Sequence, residues 1–529
     1  MPHAPTLVVG LDACDPAIAR TLADAGRLPT LARLFARAAR ARVRNPFGLF
    51  VGALWTTFAS GLRPDRHRFH CWDEIDVGTY LRRLTLPPAH NETTFWRKLS
   101  DAGRRVAVID VPHSVASAPI NGMQIVEWGC HDRHFGFHTW PPGKARDIAA
   151  TFGLHPVLGM DAYAKREFAP DDYAHRAGPY RTLEENRALF HGLLGGAASK
   201  GAMASTLFAE QGWDLFVVVF GESHSIGHQQ WHLHDPSHPR FDAAAMQALG
   251  GDPLQRMYGE LDRALGTLLA YIDEHTSVLV LLSHGMGPHH DGTHLLDEVL
   301  GRIDLFDRDP PGRAGSLQWL RRGAGLLPGA VQRHLTAFAV PAIRRRARSR
   351  ALVPCPEFAD AEQRAKQRFF LEPNNYVYGG VRLNMAGREP NGMVDPDDAD
   401  RVCARLARDL LALINVESGR PVIRAVHRAD RWYRRAPDDT IPDLFIDWER
   451  AGPIEMVWSP KTGLIHAPYT NWRTGDHRPN GLLLALGPDI PANTTLPDIQ
   501  LEDLAPTIAA RLGVRLADVD GRIVPWLVA

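Results

Sequence analysis

The chain of 529 residues balances 60 Lys+Arg against 60 Asp+Glu, with 45% hydrophobic and 23% charged residues, an ordinary globular composition. That neutrality excludes a global basic footprint for nucleic acid or anionic lipid, and no apolar run reaches the ~18–20 residues of a membrane-spanning helix. The five cysteines are odd in number and lack CxxC spacing; with no basic n-region or cleavage site at the start of the chain, they predict a reduced, cytoplasmic protein.

Residues 7–11 (Leu-Val-Val-Gly-Leu) read as a buried first strand. Pro16 suits the first turn of a helix over 17–25 that ends at Gly26. Asp15, just before that proline, is the natural helix cap, whereas Asp12 projects from the strand end and is better placed as a ligand. Cys14 reads as a small packing residue or a soft ligand. Residues 105–110 form another strand after a helix over 95–102, and 125–132 end a third. Residues 140–200 become Ala-, Arg- and Glu-rich, predicting helices packed over the sheet edge.

Residues 215–220 (Leu-Phe-Val-Val-Val-Phe) are long enough for one strand buried on both faces. Glu222, His224 and His228 follow directly. Two imidazoles four residues apart lie on one side of a helical turn, so both can reach one cation, and the carboxyl end of a buried parallel strand is where open α/β sheets place their chemistry. The alternative is a loop solvated by His224, His228, His232, His234 and His238. A helix over 254–272 precedes a second buried strand, 277–282, which ends at Ser283-His284-Gly-Met-Gly. Residues 305–365 read as an insertion or lid; their basic run, Arg344 to Arg350, is a solvated helix face or a surface for an anionic substrate. A polar loop carries Arg473, Asp476 and His477 into a further strand, and a capped helix begins near 501.

Gly10-Leu11-Asp12, Gly26-Arg-Leu-Pro29 and Trp55-Thr-Thr-Phe-Ala-Ser-Gly61-Leu-Arg-Pro-Asp-Arg-His67 resemble the type I phosphodiesterase/nucleotide pyrophosphatase branch of the alkaline phosphatase superfamily. Ser283-His284-Gly-Met, the segment 376–390 and Asp476-His477 extend the resemblance, which leaves 140–200 and 305–365 uncovered. It implies an α/β fold: an alkaline-phosphatase-like, mostly parallel central sheet sandwiched by helices, in one domain over 1–529 with helical insertions. It also implies two metal ions, one held by an Asp and two His, the other by two Asp and a His, with a Ser or Thr nucleophile between them.

Carried over residue by residue, the resemblance meets departures. Asp12 and His477 match the family's first Asp and last His. The Asp-x-x-x-His pair falls on His224 and His228, the Asp-His pair on Ser283 and His284, and the nucleophile position on Val51, which can attack nothing. With only Asp12 left of three ligand carboxylates, two divalent ions would be badly undercompensated, so one ion is expected, Zn2+ before Fe2+, Mn2+ or Ni2+. His224, His228 and His477, with Asp12 and His284 nearby, are the expected ligands of a site that activates water. Asp12, Asp15, His284 and Asp476 are the candidate bases or orienting groups. Thr56 and Thr57 are expected at a helix start. Arg382, Asn384, Arg473, His131 and Asp132 are candidates for contacts to a small, anionic substrate. The expected function is hydrolysis of a phospho- or sulfo-ester or related bond. One-metal oxidative or eliminative chemistry and an inactive binding homologue are the alternatives, and the sequence does not specify the oligomeric state.

Overall fold

The computed structural model describes residues 4–85, 93–116, 119–130, 133–158, 182–210, 212–308, 360–469 and 473–528. The chain divides into two compact units, Met1–Phe69, Leu86–Pro288 and Asn471–Ala529 in one, His70–Thr85 and His289–Thr470 in the other. The basic run, His131, Asp132 and most of the segment 305–365 lie outside the described residues. Among the described residues no helix is long and apolar enough to cross a membrane.

The first unit is built on a nine-stranded mixed sheet. Its centre is parallel: Ser277–Leu282, Thr6–Leu11, Leu215–Phe220, Val106–Ile109 and Gly122–Val126 lie side by side in that order. Antiparallel strands flank it, Asn480–Leu486 on one side and His138–Trp140 on the other. The central runs are apolar without alternation because both faces are covered. Leu7, Val9, Leu11, Phe216, Val218 and Phe220 pack on one side with the helices Pro16–Asp24, Leu183–Ala209 and Pro253–Leu269. Val8, Leu215, Val217 and Val219 pack on the other with Phe50–Ser60, Phe95–Asp101 and Leu504–Arg511. Each such side chain contributes about 1.5–3 kcal/mol on burial. This is the mostly parallel α/β architecture expected of the alkaline-phosphatase-like class.

Asp15 is the cap that its place before Pro16 predicts: Oδ1 accepts from the Ala17 and Ile18 amides, both at 2.9 Å. Thr56 and Thr57, by contrast, do not start a helix. Phe50–Ser60 begins six residues earlier, so both threonines are interior, and Thr57 Oγ1 meets His67 Nε2 at 2.9 Å. This helix is buried almost all round, which erases the amphipathic period that marks a helix start.

The second unit holds an antiparallel sheet in the order Phe369–Glu372, Tyr378–Leu383, Leu444–Trp448, Ile423–Arg428. Helices Thr293–Arg308 and Ala399–Leu411 pack into the same core. Within it, burial pushes the Glu372 carboxyl up to about 8 against the opposing pull of Arg382. Between its ordinary value of 4.5 and 8, the folded chain holds a proton that the unfolded chain has released, so stability falls as pH rises through that window. Glu372→Gln is therefore expected to flatten the decline in melting temperature between about pH 5 and 8; parallel wild-type and variant curves would refute the assignment.

Candidate metal centre

Three parallel strands bring the centre to one edge of the sheet. Leu11 stands in register with Phe220 and Leu282, so Asp12, Gly221 and Ser283 leave the sheet side by side. The helix Glu222–His234 starts at once and carries His224 and His228 on successive turns. His477 arrives on Gly475–Arg478, paired antiparallel with Gly285–Pro288. Gly475 is needed there: a Cβ would lie 2.2 Å from the Gly227 carbonyl oxygen, so only glycine lets this strand lie against the ligand helix.

His224 Nε2 lies 2.9 Å from His228 Nε2 and 3.2 Å from His477 Nε2. The rings of His228 and His284 are each centred 4.5 Å from that of His477, and all four are buried. The far nitrogens decide the tautomers. Nδ1 faces Asp12 Oδ2 at 2.9 Å in His224, the Gly475 carbonyl at 2.7 Å in His228 and the Gly285 carbonyl at 3.0 Å in His284. Carboxylates and carbonyls only accept, so Nδ1 carries the proton in each neutral ring and Nε2 is the unprotonated nitrogen. Two unprotonated nitrogens 2.9 Å apart repel unless a cation, a metal ion or a shared proton, lies between them.

The donor set fits such a cation. Imidazoles about 2.0–2.1 Å from a common tetrahedral ion stand about 3.3 Å apart, and ligating histidines use their other N–H on a carboxylate or carbonyl. Burial drives His477 well below the ordinary imidazole range, and His228, His284, His224 and Arg473 push the same way, which keeps its lone pair available. Among the described residues, two sets of three donors lie within 4.8 Å, His224–His284–His477 and His228–Asp476–His477.

Asp12 sits behind this cluster with its oxygens engaged. Oδ2 accepts the hydrogen bond of His224 Nδ1–H, while Oδ1 accepts from Trp55 Nε1 at 3.1 Å and from Ser283 Oγ at 2.9 Å. His284 Nε2 lies 3.5 Å from Oδ1. Trp55 crosses the sheet to reach the carboxylate because residue 10 is glycine: a Cβ there would lie 2.6 Å from the indole. Neither Trp55 nor Ser283 announces this role in the sequence, since it depends on the register of strands far apart in the chain.

Residues 6–477 match the family model for type I phosphodiesterase / nucleotide pyrophosphatase. The chain belongs to that family. No curated protein sequence matches it. Among solved structures, this family member is similar to murine ectonucleotide pyrophosphatase/phosphodiesterase 5, with 12% identity, 98% of this chain and 97% of that one covered and a TM-score of 0.48. That protein is also solved as an inactive variant in complex with AMP. It is likewise similar to phosphonoacetate hydrolase from Sinorhizobium meliloti 1021 in complex with phosphonoacetate, with 14% identity, 97% and 96% covered and a TM-score of 0.45.

The remaining predicted residues separate cleanly. Asp476 and Arg473 belong with His477: Asp476 offers a carboxylate oxygen to one donor set, and Arg473 acts on the His477 ring. Asp15, beyond its capping, accepts the Met286 amide at 3.1 Å. Cys14 is buried and its thiol is pushed far up, first by burial and then by Asp15, as suits a packing residue. Arg382 and Asn384 lie in the second unit and serve its interior. The Arg382 guanidinium meets Glu389 Oε1 at 2.6 Å and the Asp439 carbonyl at 2.9 Å, and Asn384 bonds Tyr80 at 2.8 Å. Val51 is in the first turn of Phe50–Ser60. Its neighbour Phe50 packs edge-on against His284 and His477, with ring centroids 5.7 and 6.4 Å apart.

Proposed function

We propose that this chain hydrolyses a phospho- or sulfo-ester, or a related bond, with one divalent cation, zinc in the first instance, held by His224, His228 and His477. The observation that carries this reading is that His224 Nε2 lies 2.9 Å from His228 Nε2 and 3.2 Å from His477 Nε2, with the Nδ1 protons of His224 and His228 committed elsewhere. A cation bound there would supply Lewis acidity and acidify water near neutral pH.

The chain supplies the rest. Asp12 and the Gly475 carbonyl hold His224 and His228 in the ligating tautomer. His284 presents its unprotonated Nε2 beside Asp12 Oδ1; it accepts the proton of the attacking water, and Asp12 stabilises the imidazolium that results. Arg473, whose charge acts on the His477 ring, is the proposed partner for an anionic group of the substrate. One ion is favoured over two because both donor sets draw on the same His477.

Water rather than a side chain is the nucleophile, because Val51 occupies the position that the family resemblance gives to Ser or Thr. Val51→Ala is expected to keep turnover within about fivefold of wild type, about 1 kcal/mol. The reading as a whole is tested by elemental analysis of the purified chain together with a panel of chromogenic phosphate, phosphodiester and sulfate esters. One divalent ion per chain with ester hydrolysis is expected. Two ions per chain, or a redox metal without ester hydrolysis, would overturn it; Fe(II) and Mn(II) suit the same donors, so the identity of the ion decides as much as its number.

A further inference from the structure

A fully buried ion cluster in the first unit lies outside the histidine cluster. Lys200, two thirds of the way along Leu183–Ala209, is fully buried. Its ammonium lies 3.0 Å from Asp110 Oδ2 and 3.1 Å from Glu222 Oε1, and it donates to the carbonyls of Val219 at 3.2 Å and Gly129 at 3.4 Å. These partners mark the carboxyl ends of three neighbouring strands, Leu215–Phe220, Val106–Ile109 and Gly122–Val126, and the first residue of the ligand helix. Asp110 also accepts the amides of Trp128 and Gly129 at 2.8 and 2.6 Å.

His155 completes the group. Its Nδ1 accepts from the Val157 and Leu158 amides, both at 3.3 Å, so Nε2 carries the proton and faces Glu222 Oε1 at 3.6 Å. Two glycines make the room. A Cβ on Gly129 would lie 2.9 Å from Lys200 Nζ, and one on Gly196 would lie 2.1 Å from His155 Nε2.

A buried ion cluster is a poor source of stability, since well-packed apolar replacements are often neutral or better by about 1–4 kcal/mol. Its distinctive product is geometry. One ammonium here ties three strand ends to the first turn of the helix whose third and seventh residues are His224 and His228. Two carboxylates against one ammonium also leave a net negative charge at that helix's N-terminus, where the helix dipole favours it, behind a site made of neutral imidazoles.

We infer that Lys200, Asp110 and Glu222 are a positioning network that sets the pose of His224 and His228 for cation binding, an inference that rests on the metal reading above. Lys200→Met and Glu222→Gln test it against Lys461→Met, which breaks a comparable buried cluster in the second unit, where Lys461 Nζ meets Asp307 at 2.7 Å and Asp409 at 2.6 Å. Two readouts are needed: zinc affinity by competition with a chromogenic chelator, and histidine side-chain 15N–1H spectra of the metal-free chain, which report tautomer and ring order.

Lys200→Met and Glu222→Gln are expected to weaken zinc about 10–100-fold, the loss typical for groups that support metal ligands, and to broaden or double the His224 and His228 signals. Lys461→Met is expected to lower the melting temperature alone. Wild-type zinc affinity and unchanged histidine signals in the folded Glu222→Gln variant would reduce the network to a structural element and overturn the inference. Glu222→Gln decides by itself if Lys200→Met does not fold. A wild-type chain that binds no zinc would sink the metal reading instead, and the metal-free spectra would still decide whether the network positions the rings.

Discussion

His228→Ala is expected to give a folded protein that no longer retains a divalent cation and loses ester hydrolysis by about 10³-fold or more, the several kcal/mol that a catalytic metal supplies. The side chain is one of the three converging donors, with Nε2 against His224 and Nδ1 anchored on the Gly475 carbonyl. Alanine removes one donor of three and leaves that carbonyl without its imidazole partner, a loss of about 1 kcal/mol that the surrounding core absorbs. Thermal unfolding separates metal loss from misfolding. Zinc at about 100 times its Kd adds about 2.7 kcal/mol to the wild type through binding the folded state alone. The variant should unfold cooperatively near the metal-free wild-type temperature and show no zinc response. His477→Ala should behave alike, because its Nε2 is the third converging donor. A zinc-dependent rise in melting temperature that survives in either variant would move the cation elsewhere.

The elements that carry this centre were legible in the sequence for a simple reason. Residues 7–11, 215–220 and 277–282 are apolar without alternation, which only strands covered on both faces require, and the polar residues that follow them had to emerge together at one edge. The spacing of His224 and His228 fixed their common side of a helix before any fold was assumed. Asp15 announced itself as a cap through Pro16. What stayed hidden depends on register and on small residues. Trp55 reaches Asp12 only because Gly10 leaves space between them, and Ser283 meets Asp12 only because Leu11 and Leu282 pair. Arg382 looked like a hand for an anion, yet Glu389, seven residues later, folds back to bury it. The helix Phe50–Ser60 has neither a polar capping side chain at Leu49 nor a polar face, so its beginning could not be read. The excursion of residues 70–85 into the second unit has no signature in composition at all.

Asp12→Asn probes the tuning of the centre rather than its ligand count, and its expected effect follows from hydrogen-bond polarity. Asp12 accepts hydrogen bonds from Trp55, Ser283 and His224. An asparagine of the same shape has one oxygen and one NH2 group. If the oxygen stays with Trp55 and Ser283, the amide donors face a His224 Nδ1–H that is also a donor, across the 2.9 Å now bridged by one proton. The ring resolves the conflict by moving its proton to Nε2, which removes the lone pair aimed at the cation. If the amide turns over instead, the Trp55 N–H loses its acceptor inside the core, costing about 1–3 kcal/mol. Zinc affinity should therefore fall about 10–100-fold, with the histidine spectrum of the metal-free variant showing His224 protonated at Nε2 where the wild type is protonated at Nδ1. Unchanged affinity together with an Nδ1–H tautomer in the variant would strip Asp12 of its orienting role and leave the Gly475 carbonyl, the anchor of His228, as the only fixed support among the three donors.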